Sequence, residues 1–159
     1  MTKNSRLLAA LVALAIGATA PLGALLADGS TKDLLKARHD HYHKLGDAFK
    51  KVRDEVRGSE PDMAGIKRAA QFINDASMNQ AKWFPAGSGP EAGKTRALAE
   101  IWSKPKEFEA AQKVFSDAAP KLLAAADAND VSALKTRFGE VGKACKNCHD
   151  TFRSPEEHE

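Results

Sequence analysis

Apolar side chains recur along most of this chain at steps of three and four residues, the period of a helix with one buried face. From Ser30 to Arg57 the seam reads Leu34, Arg38, Tyr42, Leu45, Phe49, Val52 and Val56, with an arginine and a tyrosine where core residues would stand. Gly58 ends this helix, and "SEPD" predicts a restart in which Ser59 caps the second helix. Pro61 falls near its first turn, where a missing N–H costs nothing. The second helix carries Met63, Ile66, Ala70, Ile73 and then Ser77 or Met78 on its inner face.

The stretch "WFPAGSGPEAGKTR", Trp83 to Arg96, gathers prolines and glycines and reads as a long connection. A third helix is predicted from Glu107 to Ala126, with Phe108, Ala111, Phe115, Ala118, Leu122 and Ala125 inward and a kink at Pro120. "DAND", Asp127 to Asp130, caps a fourth, whose seam is Val131, Leu134, Phe138, Val141, Cys145, Cys148 and Phe152. No run alternates strictly at two residues, so no strand is predicted. Four helices joined by mostly short turns describe an all-α fold, an antiparallel four-helix bundle.

The N-terminus changes this picture. Lys3 and Arg6 precede an uncharged run from Leu7 to Ala27, the charged and apolar regions of a secretory signal. Cleavage after Ala27 is expected, although Leu25 fits the small-residue pattern poorly. The run is also about long enough to span a bilayer, for which roughly 20 apolar residues are needed, so an uncleaved anchor is the alternative. Residues 28–159 then form one domain. Without Lys3 and Arg6 the balance is 22 basic against 21 acidic side chains. A net charge so close to zero argues against nucleic acid as a partner.

The chemistry sits in "KACKNCHDTF", Lys143 to Phe152. Thiols at i and i+3 of a helix lie on one face, one turn apart. They can add to two vinyl groups of a protoporphyrin, and the histidine that follows can supply an axial nitrogen to the iron, so C-x-x-C-H is the c-type haem attachment signature. At about 100° per residue, Cys148 falls roughly 60° to one side of Cys145 and His149 roughly 40° to the other, so a haem there would enter the bundle core. A dithiol redox site would want a βαβ context, and a zinc site a second Cys/His pair; neither is seen. A disulfide within one helical turn would staple very little chain.

An exported chain that becomes a four-helix bundle with C-x-x-C-H in its last helix resembles the class II cytochromes c, the family of cytochrome c′. The likeness spans nearly all of the domain, including "LKARHDHYHKLGDAFK", "FPAGS" and "VGKACKNCHDTFR", of which the last is individually specific. It implies haem c, held by two thioether bonds at Cys145 and Cys148, with His149 as the proximal iron ligand. In that family an arginine of the first helix approaches a haem propionate, and the residue four positions on faces the distal side of the iron. The matching positions here are Arg38 and Tyr42. A basic residue is common one turn after the proximal histidine, where this chain has Arg153.

Low-spin members of the family carry a distal methionine, and the methionines of the domain, Met63 and Met78, are both on the second helix. Tyr42 is therefore expected to act by bulk, over a five-coordinate high-spin haem open to small gases such as nitric oxide. The alternative is a low-spin carrier with His41, nearest the seam among His39, His41 and His43, as distal ligand. The resemblance implies a periplasmic electron carrier with redox partner proteins rather than an enzyme. A peroxidase-like enzyme would need a distal acid/base pair, of which His41 beside Tyr42 is the only hint. A homodimer through the first two helices is common in the family, although the exposed face "HDHYHK" is polar for an interface.

Overall fold

The computed structural model describes residues 22–155, which are helical and contain no strand beyond a single antiparallel bridge between Ala97 and Arg153. The elements are α1 (Leu22–Arg57), α2 (Met63–Asn79), 3-10 turns at Gln80–Trp83 and Pro90–Ala92, the short α3 (Glu100–Ser103), α4 (Pro105–Asp127) and α5 (Val131–Phe152). The expected export segment, 1–27, lies for the most part outside the described residues. The four long helices form the expected bundle: α2 packs on α1, α4 on α2 and α5 on α4, whereas α1 meets α5 only sparingly. That weak contact is where the bundle opens.

The α1–α2 turn is fastened by charge. Asp62 caps α2, its Oδ1 accepting from Gly65 N–H at 2.9 Å, while Glu55 Oε2 accepts from the Asp62 backbone N–H at 2.8 Å. Lys51 bridges both carboxylates. The expected cap, Ser59, is thus displaced by a residue nearer the helix, and Pro61 precedes the cap instead of entering the first turn. A side chain at Gly65 would collide with the Asp62 carboxylate it serves. At the other turn Asn129 adopts a left-handed conformation (φ 53°), and Asp130 Oδ1 accepts from Ala133 N–H at 2.9 Å to start α5.

The core divides in two. Val52, Ile66, Ile73, Leu122, Leu134 and Val141 are fully buried and fill the end of the bundle near these two turns. At about 1.5–3 kcal/mol for each large aliphatic side chain, this half carries most of the hydrophobic stabilisation. A smaller cluster of Ile101, Phe108 and Phe152 closes the opposite end. One seam position differs from expectation, and at another the structure decides between two candidates. Leu34 is 42% exposed, because two successive steps of four drift off the buried face; its neighbour Leu35 faces the interior cavity, and Leu35 to Val56 then alternates three and four without a break. On α2 the inward residue is Ser77, whose Oγ donates to the Asn74 carbonyl at 2.7 Å, while Met78 is 64% exposed.

Leu122→Ala should destabilise the protein by about 2–5 kcal/mol, as expected for a truncated core leucine, and Leu34→Ala by about 0.5 kcal/mol or less. Chemical denaturation of the two variants checks this; equal losses would mean that Leu34 is buried after all.

Candidate haem-binding site

Between the two core clusters lies a cavity of about 1100 Å³, bounded chiefly by α1 and α5. On α5 the three-four register brings Cys145, Cys148 and His149 to its wall together. Both cysteines are free thiols, partly buried. Burial, with the neighbouring Cys148 adding, pushes the Cys145 thiol up to about 11, and burial raises Cys148 too. At neutral pH both are protonated, which is the opposite of the depressed thiolate that a dithiol redox centre requires. His149 moves the other way: burial first, then Arg153 and Arg96, lower its pKa against the opposing pull of Asp150. Its imidazole is therefore neutral at pH 7, with a ring nitrogen free to coordinate a metal. Arg153 Nη1 stands 3.5 Å from His149 Nδ1, at the outer limit of a hydrogen bond.

Arg38 is 5% exposed and also lines the cavity. Its Nη1 donates to Ser88 Oγ at 3.1 Å and to the Trp83 carbonyl at 3.4 Å. Nη2 donates to the Ser88 carbonyl at 2.8 Å and to Thr95 Oγ1 at 3.0 Å. Phe84 and Trp102 stack on the guanidinium, with ring centroids 4.9 and 5.8 Å from Cζ. All of these acceptors are neutral, and among the described residues no carboxylate forms an ion pair with it. The hydrogen-bonding capacity is largely met and the charge is not, so burial lowers the pKa of Arg38, with Tyr42 and Glu91 opposing.

Tyr42 sits one turn further along α1, half-buried, edge-on to Trp83 at 5.2 Å. Burial raises its phenol far above the usual range; Cys148 and Cys145 add to this and Arg38 opposes it. The phenol is neutral at any physiological pH. His41 is not where the distal-ligand alternative needs it: it is exposed, stacked on Trp83 with centroids 4.7 Å apart and planes 5° from parallel, and it does not border the cavity. The indole that covers this side of α1 holds the ring away. His39 and His43, one step to either side of it, border the cavity instead.

Residues 33–153 match the family model described as Cytochrome C′. The chain belongs to the cytochrome c′ family. A cytochrome c′ of Alcaligenes xylosoxydans xylosoxydans is 36% identical over 123 residues, covering 77% of this chain and 94% of that protein. Among solved structures, a nitric oxide complex of a mutant of cytochrome c prime from Alcaligenes xylosoxidans superposes with a TM-score of 0.71 at 33% identity, covering 79% and 97% of the two chains. A cytochrome c′ described as having an unusual ligand-controlled dimer dissociation superposes with a TM-score of 0.72 at 25% identity, covering 78% and 96%.

Membership in the cytochrome c′ family implies haem c, and the residues present fit it. Two unpaired, protonated thiols one turn apart share a wall with a neutral imidazole, and a buried cation without a carboxylate partner borders the same space. Gln80 and Gln112, which also line it, each have a buried amide Nε2 without a hydrogen-bond partner. Buried donors are seldom left so, and an occupant or ordered water is the usual explanation.

The main feature that sequence reading missed is the order in the Trp83–Arg96 connection and the segment after it. Trp102 Nε1 donates to the Pro85 carbonyl at 3.0 Å, and Phe84 packs edge-on to Phe108 at 5.0 Å. Arg96 donates through Nε and Nη2 to the Ser154 carbonyl at 3.0 and 2.8 Å, and Ser154 N–H returns a bond to the Arg96 carbonyl. The aromatic density of "WF" and "IW" was the available signal; the glycines and prolines between them outweighed it. Arg38→Ala should leave the Ser88 and Thr95 acceptors unsatisfied, at about 1–3 kcal/mol for each buried group. Amide hydrogen exchange across residues 84–95 should accelerate by about tenfold or more, whereas unchanged protection would show that the loop holds its shape without the guanidinium.

Proposed function

We propose that this member of the cytochrome c′ family is an exported haem protein that carries single electrons and binds small neutral gases such as nitric oxide. In this reading Cys145 and Cys148 hold the haem by thioether bonds and His149 ligates its iron. Arg38 offers its charge to an anionic edge of the cofactor, and Tyr42 stands on the side away from His149. When bound, haem supplies one-electron redox chemistry and an open coordination position.

The observation that carries the reading is the chemistry of the cavity wall. It has a neutral imidazole on α5, but neither methionine of the domain lines it, and neither does His41. From α1 the wall is faced by Tyr42, a phenol kept neutral by burial, with the exposed His39 and His43 at its rim. A neutral phenol is a poor metal ligand and a poor general base, which favours steric gating over coordination and a binding role over a catalytic one. His149 works through its free nitrogen, and Arg153 beside Nδ1 is placed to modulate how strongly it donates. A solved nitric oxide complex of a mutant cytochrome c prime from Alcaligenes xylosoxidans supports nitric oxide as the gas. Export and a periplasmic location rest on the N-terminal signal and on the chemistry of c-type haem attachment. Among the described residues no helix is long and apolar enough to cross a membrane.

The deciding experiment is the optical spectrum of protein expressed with haem attachment machinery, oxidised, reduced, and reduced under nitric oxide. A broad high-spin Soret band that shifts with the gas is expected. Sharp low-spin α and β bands indifferent to nitric oxide would overturn the open-site reading. Tyr42→Met should convert the spectrum to low-spin, and an unchanged spectrum would remove Tyr42 from the space over the iron. Replacing Cys145 and Cys148 together by Ala should abolish the covalent attachment, read as haem released by acidified organic solvent after denaturation. Full retention by the double variant would show that these two thiols are not what holds the haem.

A further inference from the structure

The motif "HDHYH" puts three histidines at alternate positions of α1, and the fold divides them two against one. His41 is occupied by Trp83, against which it stacks. His39 and His43, four residues apart and therefore on one face, lie with ring centroids 4.2 Å apart and planes tilted by 51°. Both are exposed, and both border the cavity at its α1 rim. We propose that His39 and His43 form a two-imidazole clamp for a divalent transition-metal ion, at a site separate from the haem-ligating motif on α5.

The argument is geometric. A helix holds the Cβ atoms of residues i and i+4 about 5–6 Å apart, so two imidazoles at that spacing can each bring a nitrogen within about 2.0–2.1 Å of a shared ion by small rotations of their side-chain torsions. Because the rings already adjoin, little conformational freedom is lost on binding. Imidazole nitrogen selects zinc, nickel and copper over calcium or magnesium, and among divalent ions copper binds such sites most tightly. Asp47 continues the same stripe one turn beyond His43 and borders the same rim, adding negative charge nearby. Among the described residues no third ligand completes a set, so the remaining positions fall to water. An open, two-ligand site of this kind binds reversibly and leaves the ion exchangeable.

The test is a titration of the haem-loaded protein with cupric ion, followed by calorimetry and by electron paramagnetic resonance, in which coordinated imidazole nitrogens split the copper signal. One equivalent with nitrogen coupling is expected for the wild type. His39→Ala and His43→Ala should each weaken it by about tenfold or more, since even outer-shell changes reach that size, and His41→Ala should leave it unchanged. Both mutated side chains are exposed, so circular dichroism should confirm an intact fold. Binding that survives in His39→Ala and His43→Ala, or that His41→Ala weakens equally, would overturn the clamp. Zinc, which is redox-silent, repeats the comparison with the reduced protein and separates binding from any reaction of copper with the haem.

Discussion

Arg38 brings a full positive charge into a helical bundle, and the connection between α2 and α4 takes its shape from the acceptors that this charge requires. An isolated buried ion is among the most costly features a protein can contain. Here the cost is met by curling the loop around the guanidinium, so that Ser88, Thr95 and Trp83 give up oxygen lone pairs and two aromatic faces cover the cation. Gly87 and Gly93, with φ of 74° and 143°, allow the backbone to fold back within so short a span. The result is a loop that behaves as part of the core although its composition is that of a turn.

That arrangement also holds the cavity open. A four-helix bundle would normally close along its whole length, and at the end defined by Val52, Leu122 and Leu134 this one does. At the other end the loop and α3 insert Phe84 and Trp102 beside Phe108 and Phe152, forming a separate lid of aromatic packing. Arg96 and the Leu98 N–H tie this lid to the end of α5 through the Ser154 and Phe152 carbonyls. The helix carrying Cys145, Cys148 and His149 is thus fastened at both ends.

A common cause underlies the electrostatics of that wall. Burial penalises charge, so the thiols and the phenol are pushed up and the imidazole is pushed down. Burial thereby holds Cys145, Cys148, Tyr42 and His149 in their neutral forms, while Arg38 on the same wall cannot lose its proton under any ordinary condition. A largely apolar chamber bordered by Arg38, Arg96 and Arg153 is suited to a flat macrocycle with an anionic edge.

Local residue pattern determined a good deal of this protein. Helix periodicity depends only on neighbours along the chain, so the long helices, the bundle and the placement of Cys145, Cys148 and His149 on one face are legible in the order of the residues. So is the oddity of Arg38 and Tyr42 on a buried seam, since a polar residue in an apolar register has to be explained by something outside its own helix. What tertiary structure alone decided were choices between near-equivalent positions: Asp62 over Ser59 as the cap, Leu35 over Leu34, Ser77 over Met78, and His39 and His43 over His41 at the cavity rim. Each of these alternatives lies within a few residues of the other and differs by a fraction of a helical turn. Which one faces inward depends on what the neighbouring element places against it, Glu55 and Lys51 in the first case and Trp83 in the last, and such contacts between residues distant in sequence leave no periodic trace in the chain.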